Sequence, residues 1–195
     1  MKNKKGNQTM KEQFEKAFNY LGESRNYIYA IALIFVCGLF IGFAYSDSFK
    51  FLDDFIKQLV SQINGLNLMD TILFIFRNNM TSAFFGLFLG VALGIFPLMN
   101  VISNGIILGY VMKGIWIDSG ISNFWRILPH GIFELPAVFI SLALGLKLGM
   151  FVFSKNPGKE FLSRLKNSFI IFVVVVLPLL LVAAIIEGIL IFLYK

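Results

Sequence analysis

Cysteine, histidine and charge are all scarce in this sequence. A single cysteine, Cys37, and a single histidine, His130, occur among 195 residues. One thiol excludes an intramolecular disulfide framework and a thiolate metal site. One imidazole excludes the His-Glu-His zinc helix of the common metalloproteases, which needs two histidines on one face plus a third ligand. Charged residues make up 14% of the chain, where a soluble domain carries about 25%. So little polar surface cannot cover a folded chain in water, and this excludes a soluble enzyme, a secreted disulfide scaffold and a disordered chain. No phosphate-cradling glycine loop precedes a helix or strand, and no arginine-rich, aromatic-interleaved segment points to nucleic acid.

What the sequence does hold is apolar bulk: 57% hydrophobic side chains, 23 Phe and a mean hydropathy of +0.79. A membrane-crossing helix needs about 20 mostly apolar residues, and five segments qualify, at about 27–45, 79–96, 98–112, 129–153 and 169–193. The pattern predicts an all-α membrane protein, a bundle of about five transmembrane helices forming a single domain over 27–195, preceded by a basic tail over 1–26. Only Pro97 and its neighbours separate the second helix from the third, and Pro97 with the polar patch from Asn100 to Gly105 predicts a tight turn there. In 48–66 the apolar residues Phe49, Leu52, Phe55, Ile56, Leu59, Val60 and Ile63 recur at three- and four-residue steps, the pattern of an amphipathic interfacial helix. Residues 10–19 repeat it more weakly. Residues 154–166, with Pro157, Gly158 and four basic side chains, read as a loop.

Six basic residues lie in the N-terminal tail (Lys2, Lys4, Lys5, Lys11, Lys16, Arg25) and four after the fourth helix (Lys155, Lys159, Arg164, Lys166). Five crossings put both groups on one side. Positive charge stays inside, so the N-terminus is expected in the cytoplasm of a cell-membrane protein and Lys195 outside, with Trp116 and Trp125 as interfacial anchors.

Small residues at four-residue spacing let helices approach closely in lipid. They recur as Gly38 and Gly42 on the first helix, Gly86, Gly90 and Gly94 on the second, Gly105 and Gly109 on the third, and Ala137, Ser141, Gly145 and Gly149 on the fourth. Their number implies a tight bundle, dimer interfaces, or both.

Ionisable and amide side chains inside spans are costly, so each is a candidate site. With these helix boundaries, Arg77, Asn78 and Asn79 enter from the outer face, beside His130 and Glu134 on the fourth helix and Glu187 on the fifth. The six fall in one outer layer. Asn100, Asn104 and Lys147 fall in an inner layer, where Lys147 is expected to snorkel to the interface. Three readings of the outer cluster stand open: a structural knot in which Arg77 neutralises Glu134 or Glu187, a binding or permeation site, and a hydrolytic site. A metal site from His130, Glu134 and Glu187 is possible on ligand type, but nothing in the spacing selects it. A serine nucleophile would need Ser141 or Ser82 beside His130, and Ser141 lies about 16 Å from His130 along the helix. No catalytic residue, metal or cofactor is assigned.

The run Leu128-Pro129-His130-Gly131-Ile132-Phe133-Glu134-Leu135-Pro136-Ala137, with Asn104-Gly105 and Gly109 before it and Asn79 ahead of a glycine-striped helix, resembles the stage II sporulation protein M family. The resemblance covers roughly residues 25–195. It implies a multi-pass membrane protein whose sporulation namesake works with cell-wall-degrading partners during engulfment as an anchor or organiser. The leading expectation is therefore a non-enzymatic membrane scaffold. It would use its interfacial helix and small-residue stripes to bind membrane or cell-envelope proteins, or a second copy of itself, within the lipid bilayer. A transporter or small-solute binder built on the outer cluster is the alternative, and an intramembrane hydrolase the third reading.

Overall fold

A computed structural model describes residues 2–120, 124 and 130–193, with the side chains of 2–9, 119 and 130 outside that description. Trp125, Arg126 and Pro129 lie outside the described residues, as does the His130 side chain. Every described element is helical: α1 (Lys2–Glu23), α2 (Arg25–Ala44), α3 (Leu52–Ile63), α4 (Leu68–Phe88), α5 (Ile95–Ser119), α6 (Leu135–Gly149), α7 (Pro157–Ile171) and α8 (Leu177–Leu193). Five stretches are long and apolar enough to cross a membrane: Arg25–Ala44, Leu68–Val91, Ile95–Asp118, Gly131–Phe153 and Pro157–Leu193.

Several boundaries differ from those predicted by hydropathy, and each difference has a local cause. The second span starts at Leu68, not near Asn79, because Asn67 caps it: its side chain accepts from the Asp70 amide at 2.9 Å and donates to the Asp70 carboxylate at 2.7 Å. Pro97 is not in the turn. It occupies the first turn of α5, where an amide hydrogen would have no helical partner anyway, and Asn100 to Gly105 are helical. The reversal lies at Leu89–Gly94 instead, made by a short 3₁₀ turn and by Leu93 and Gly94 in left-handed backbone, φ 55° and 72°. Gly94 therefore ends the hairpin rather than extending the α4 stripe. Residues 157–166, expected as a loop, are helical because Pro157 opens α7 with its fixed φ, and Glu160 and Arg164 pair one turn apart at 3.2 Å. The basic N-terminal segment is a helix from Lys2 to Glu23. The segment expected as an interfacial helix forms a 3₁₀ turn at Ser46–Phe49 followed by α3, with no side chain buried in either.

Two π-helical turns, His130–Glu134 and Phe172–Val176, lead into α6 and α8. Each is followed within two residues by a proline, Pro136 and Pro178. A proline cannot donate to the carbonyl four residues back, and the widened turn accommodates that loss.

The glycine stripes close two parallel helix pairs within the chain. On α2 and α5, a Cβ at Gly42 or Gly109 would overlap the carbonyls of Ile106 and Leu39. Where α4 and the 3₁₀ turn after it meet α6, Gly86, Gly90, Gly145 and Gly149 lie backbone to backbone, so that a Cβ at Gly90 would strike the Gly145 carbonyl and one at Gly149 the Gly90 carbonyl. Ser141 fits the same seam by donating to the Ala83 carbonyl at 2.7 Å. α6 is the central element. Half of its span is buried, against 22–33% in the other four. Its Ala137 and Leu144 pack with Ala83, Leu87 and Val176, and its Leu142 and Ala143 with Ile31, Phe35 and Val101.

Candidate functional site

The capping of α4 at Asn67 decides the level of the polar residues. Asn79 stands eleven residues after Leu68, about 17 Å along the helix and close to the middle of the span. Counted from the hairpin, Asn79 lies nine residues before Phe88 and Asn104 nine after Ile95, so both sit about 14 Å from it. The expected outer and inner layers are therefore one layer for the asparagines, halfway through the bundle.

At this level a partly enclosed cavity of about 330 Å³ opens, and every one of the five spans lines it: Phe35 on α2, Asn79 on α4, Asn104 on α5, Glu134 before α6 and Glu187 on α8 are representative. The Asn79 amide donates to the Glu134 carboxylate at 2.6 Å, and Glu134 is only 6% exposed. Along the α4–α5 wall, the Asn100 amide donates to the Ser82 hydroxyl at 3.0 Å. Asn104 donates to Asn100, to its side-chain oxygen at 2.8 Å and its carbonyl at 2.9 Å. Asn78 also lines the cavity. The sequence did not single out Ser82 for this wall, although its position three residues after Asn79 puts it on the same helix face.

Arg77 is not part of the cluster. Two residues along a helix are turned by about 200°, so Arg77 points away from Asn79, exposed on the outside of α4, and pairs with neither Glu134 nor Glu187 among the described residues. The backbone of His130 opens the π turn that carries Glu134, and its side chain lies outside the described residues.

Lys147 belongs to a separate arrangement at the α1 end. Instead of snorkelling it is buried, 8% exposed, and holds the corner between α1 and α2. Its ammonium donates to the Ser24 hydroxyl at 3.1 Å and the Tyr20 carbonyl at 3.3 Å, lies 3.6 Å from the Glu23 carboxylate and sits 3.7 Å from the Tyr20 ring centroid. Arg164 on α7 donates to the Lys147 carbonyl at 2.7 Å. Burial pushes the Tyr20 phenol up to about 12, against a smaller opposing pull from the nearby Ser168 hydroxyl and Arg164. The Tyr20 and Ser168 hydroxyls face each other without reaching hydrogen-bond geometry.

Chemically the cavity offers amides and a hydroxyl, which both donate and accept, and carboxylates. Among the described residues no three His, Cys, Asp or Glu side chains group as a metal site.

No solved structure matches the chain. An uncharacterized protein of Methanocaldococcus jannaschii is 31% identical over 175 residues, covering 83% of this chain and 76% of that protein. Residues 31–190, which hold all five spans' contributions to the cavity, match the family described as stage II sporulation protein M, and the chain belongs to that membrane-protein family.

Proposed function

We propose that this protein binds a small solute with hydrogen-bonding groups in the cavity where its five spans converge, as a solute-binding or solute-translocating membrane protein. The convergence itself carries the reading. A bilayer-spanning bundle that needed only to hold together would fill its middle with apolar side chains, since buried polar groups are costly in hydrocarbon. Here Asn78, Asn79, Ser82, Asn104, Glu134 and Glu187 instead surround an open volume. The glycine stripes, which as free surfaces favoured partner docking, are engaged inside the chain. We also place the α1 end in the cytoplasm, on the distribution of lysine and arginine.

The test is access. In a Cys37→Ser background, Ser82→Cys in native membranes should react with a small water-soluble thiol reagent. Asp47→Cys, at a charged position whose side chain is 91% exposed just after α2, serves as the positive control. An inert Ser82→Cys beside a reactive Asp47→Cys would leave the polar layer as a structural knot.

A scaffold role stands as a second reading, and one observation favours it. α1 leaves Met10, Phe14 and Phe18 exposed as a ridge at four-residue spacing, a shape that a partner helix fits. Loss of co-purifying protein on Phe14→Ser with Phe18→Ser, the fold being intact, supports this reading; unchanged co-purification removes it.

A further inference from the structure

A second concavity adjoins the polar cavity. Its volume is about 420 Å³ and its walls are Phe49 and Phe51 of the 3₁₀ turn region, Leu52 and Phe55 of α3, and Ser103, Ile106 and Ile107 of α5. The lining is apolar apart from the Ser103 hydroxyl. Tyr110, one turn beyond Ile106, donates to the Asp53 carboxylate and so tethers α3 over this face of α5. Ser103 and Ile107 lie about 12 and 18 Å along α5 from its start, well within a hydrocarbon layer about 30 Å thick. An apolar groove at that level is met by hydrocarbon chains, not by water.

Ile107 lines both spaces, as one wall of the groove and one wall of the polar cavity. On α5, Ser103 and Ile106 turn toward the groove and Asn104 and Leu108 toward the cavity, adjacent faces of one helix. The mouth of the cavity lies on the same side. Asn78 on α4 and Asn104 on α5 both line it and are both exposed, so it opens sideways between these two helices, next to the groove, rather than only toward one end of the bundle. A fully water-soluble solute would find this entrance beside hydrocarbon. A molecule with a polar head and an acyl chain matches both halves: the head against the asparagine amides, the chain along Phe51, Phe55 and Ile106.

Resting on the solute-binding reading, we infer that the occupant is an amphiphile, a lipid-like molecule with a single chain in the groove and an uncharged or zwitterionic hydrogen-bonding head in the cavity. Primary amides and a hydroxyl pair with heads whose groups both donate and accept, and the Glu134 and Glu187 carboxylates lining the same cavity disfavour an anionic head. Ile107 is the hinge point of the site, the side chain over which the ligand bends from apolar to polar surroundings.

The experiment uses the intact protein in phospholipid nanodiscs and three photoactivatable diazirine probes: a monoacylglycerol labelled in mid-chain, the same molecule labelled on its glycerol head, and a short diol with no chain. The chain probe should cross-link to the peptide of Phe51 and Phe55 or to that of Ile106. The head probe should cross-link at Asn78, Asn79 or Asn104, and the chainless diol should label the cavity at least tenfold less at equal concentration. Ile107→Trp, which blocks the junction, should lower head labelling of the cavity about tenfold. Phe55→Ser, on an exposed helix where folding is not at stake, should lower chain labelling of the groove. Cavity labelling by the diol as strong as by the head probe would overturn the amphiphile and leave the solute reading standing. Chain labelling of the groove with head labelling elsewhere would also overturn it, reducing the groove to an ordinary lipid contact. Absence of cavity labelling by all three probes, with Ser82→Cys inert to thiol reagent, would overturn both.

Discussion

Asn79 and Glu134 lie 55 residues apart in the sequence and 2.6 Å apart in the fold, the amide of one span donating to the carboxylate at the entrance of another. Both are carried on the parallel pair α4 and α6, so this bond and the glycine contacts below it belong to one seam. Removing either partner should act through the other. Asn79→Leu and Glu134→Leu should each cost about 1–3 kcal/mol, and their double-mutant cycle should deviate from additivity by about 0.5–3 kcal/mol. The corresponding cycle of Arg77→Met with Glu134→Leu should be additive within about 0.5 kcal/mol. Coupling in the arginine cycle, read by denaturation in detergent, would contradict the outward direction of Arg77.

Gly90→Leu should destabilise the bundle by roughly 1–3 kcal/mol or more, since a Cβ there meets the Gly145 carbonyl, a backbone atom that cannot turn aside. Val91→Leu, one position on and exposed, should be nearly neutral. Gly114→Ala has open space around it and should be neutral or stabilising by up to about 1 kcal/mol. Thermal unfolding of the three variants separates close packing from mere helix propensity.

Lys147→Met should loosen α1 without unfolding the bundle. The Ser24 hydroxyl loses its donor, the Tyr20 carbonyl keeps only the Ser24 hydroxyl and the Tyr20 ring loses its cation, a combined loss of about 1–3 kcal/mol. Amide hydrogen exchange over residues 10–23 should rise about tenfold or more, while exchange in α6 stays unchanged. Protection of α1 equal to that of the parent would mean that its contact with α7 suffices.

The Tyr20 phenol, held up at about 12 by burial, makes stability depend on alkaline pH. The folded state holds the proton more tightly than the unfolded chain, whose tyrosine titrates near 10. The stabilisation is complete below pH 10 and is lost as pH rises toward 12, by at most about 3 kcal/mol. Tyr20→Phe should flatten that part of the stability curve. An unchanged slope between pH 10 and 12 would show that Tyr20 is hydrated in the folded protein.

Orientation is checked with a tag after Lys195. It should be reached by an impermeant probe from outside intact cells, and a tag before Lys2 only after permeabilisation. The opposite pattern would place the α1 end outside.

The class of the fold was legible because membrane burial is written in composition and run length, and no later event alters a run such as 27–45. Boundaries were less so. Hydropathy sees Arg77, Asn78 and Asn79 as the start of an apolar segment, whereas the helix is set by Asn67 and Asp70, twelve and nine residues before Asn79. The same error shifted the site, since misplacing the start of α4 by eleven residues moved Asn79 from the middle of the bundle to its edge. Pro97 and Pro157 read as breakers because a proline in mid-sequence carries no mark of whether it stands in the first turn of a helix. Spacing did place Asn79, Glu134 and Glu187 together, but it could not show that Asn104 joins them, that Arg77 does not, or that Ser82 completes the wall. Those depend on rotation about each helix axis, which only tertiary packing fixes.

Because the tightest contacts join parallel helices, no pair can close as soon as its first member is made. α2 must wait for α5, with α4 threaded between them, and α4 must wait for α6. A ribosome that has delivered residues up to Ser119 has supplied both glycine faces of the first pair but only one of the second, leaving Gly86 and Gly90 bare toward lipid until the fourth span arrives. During synthesis the chain thus carries an unmatched helix through the membrane. The arrival of α6 ends that exposure and brings Glu134 to Asn79, and the cavity is complete once α8 adds Glu187.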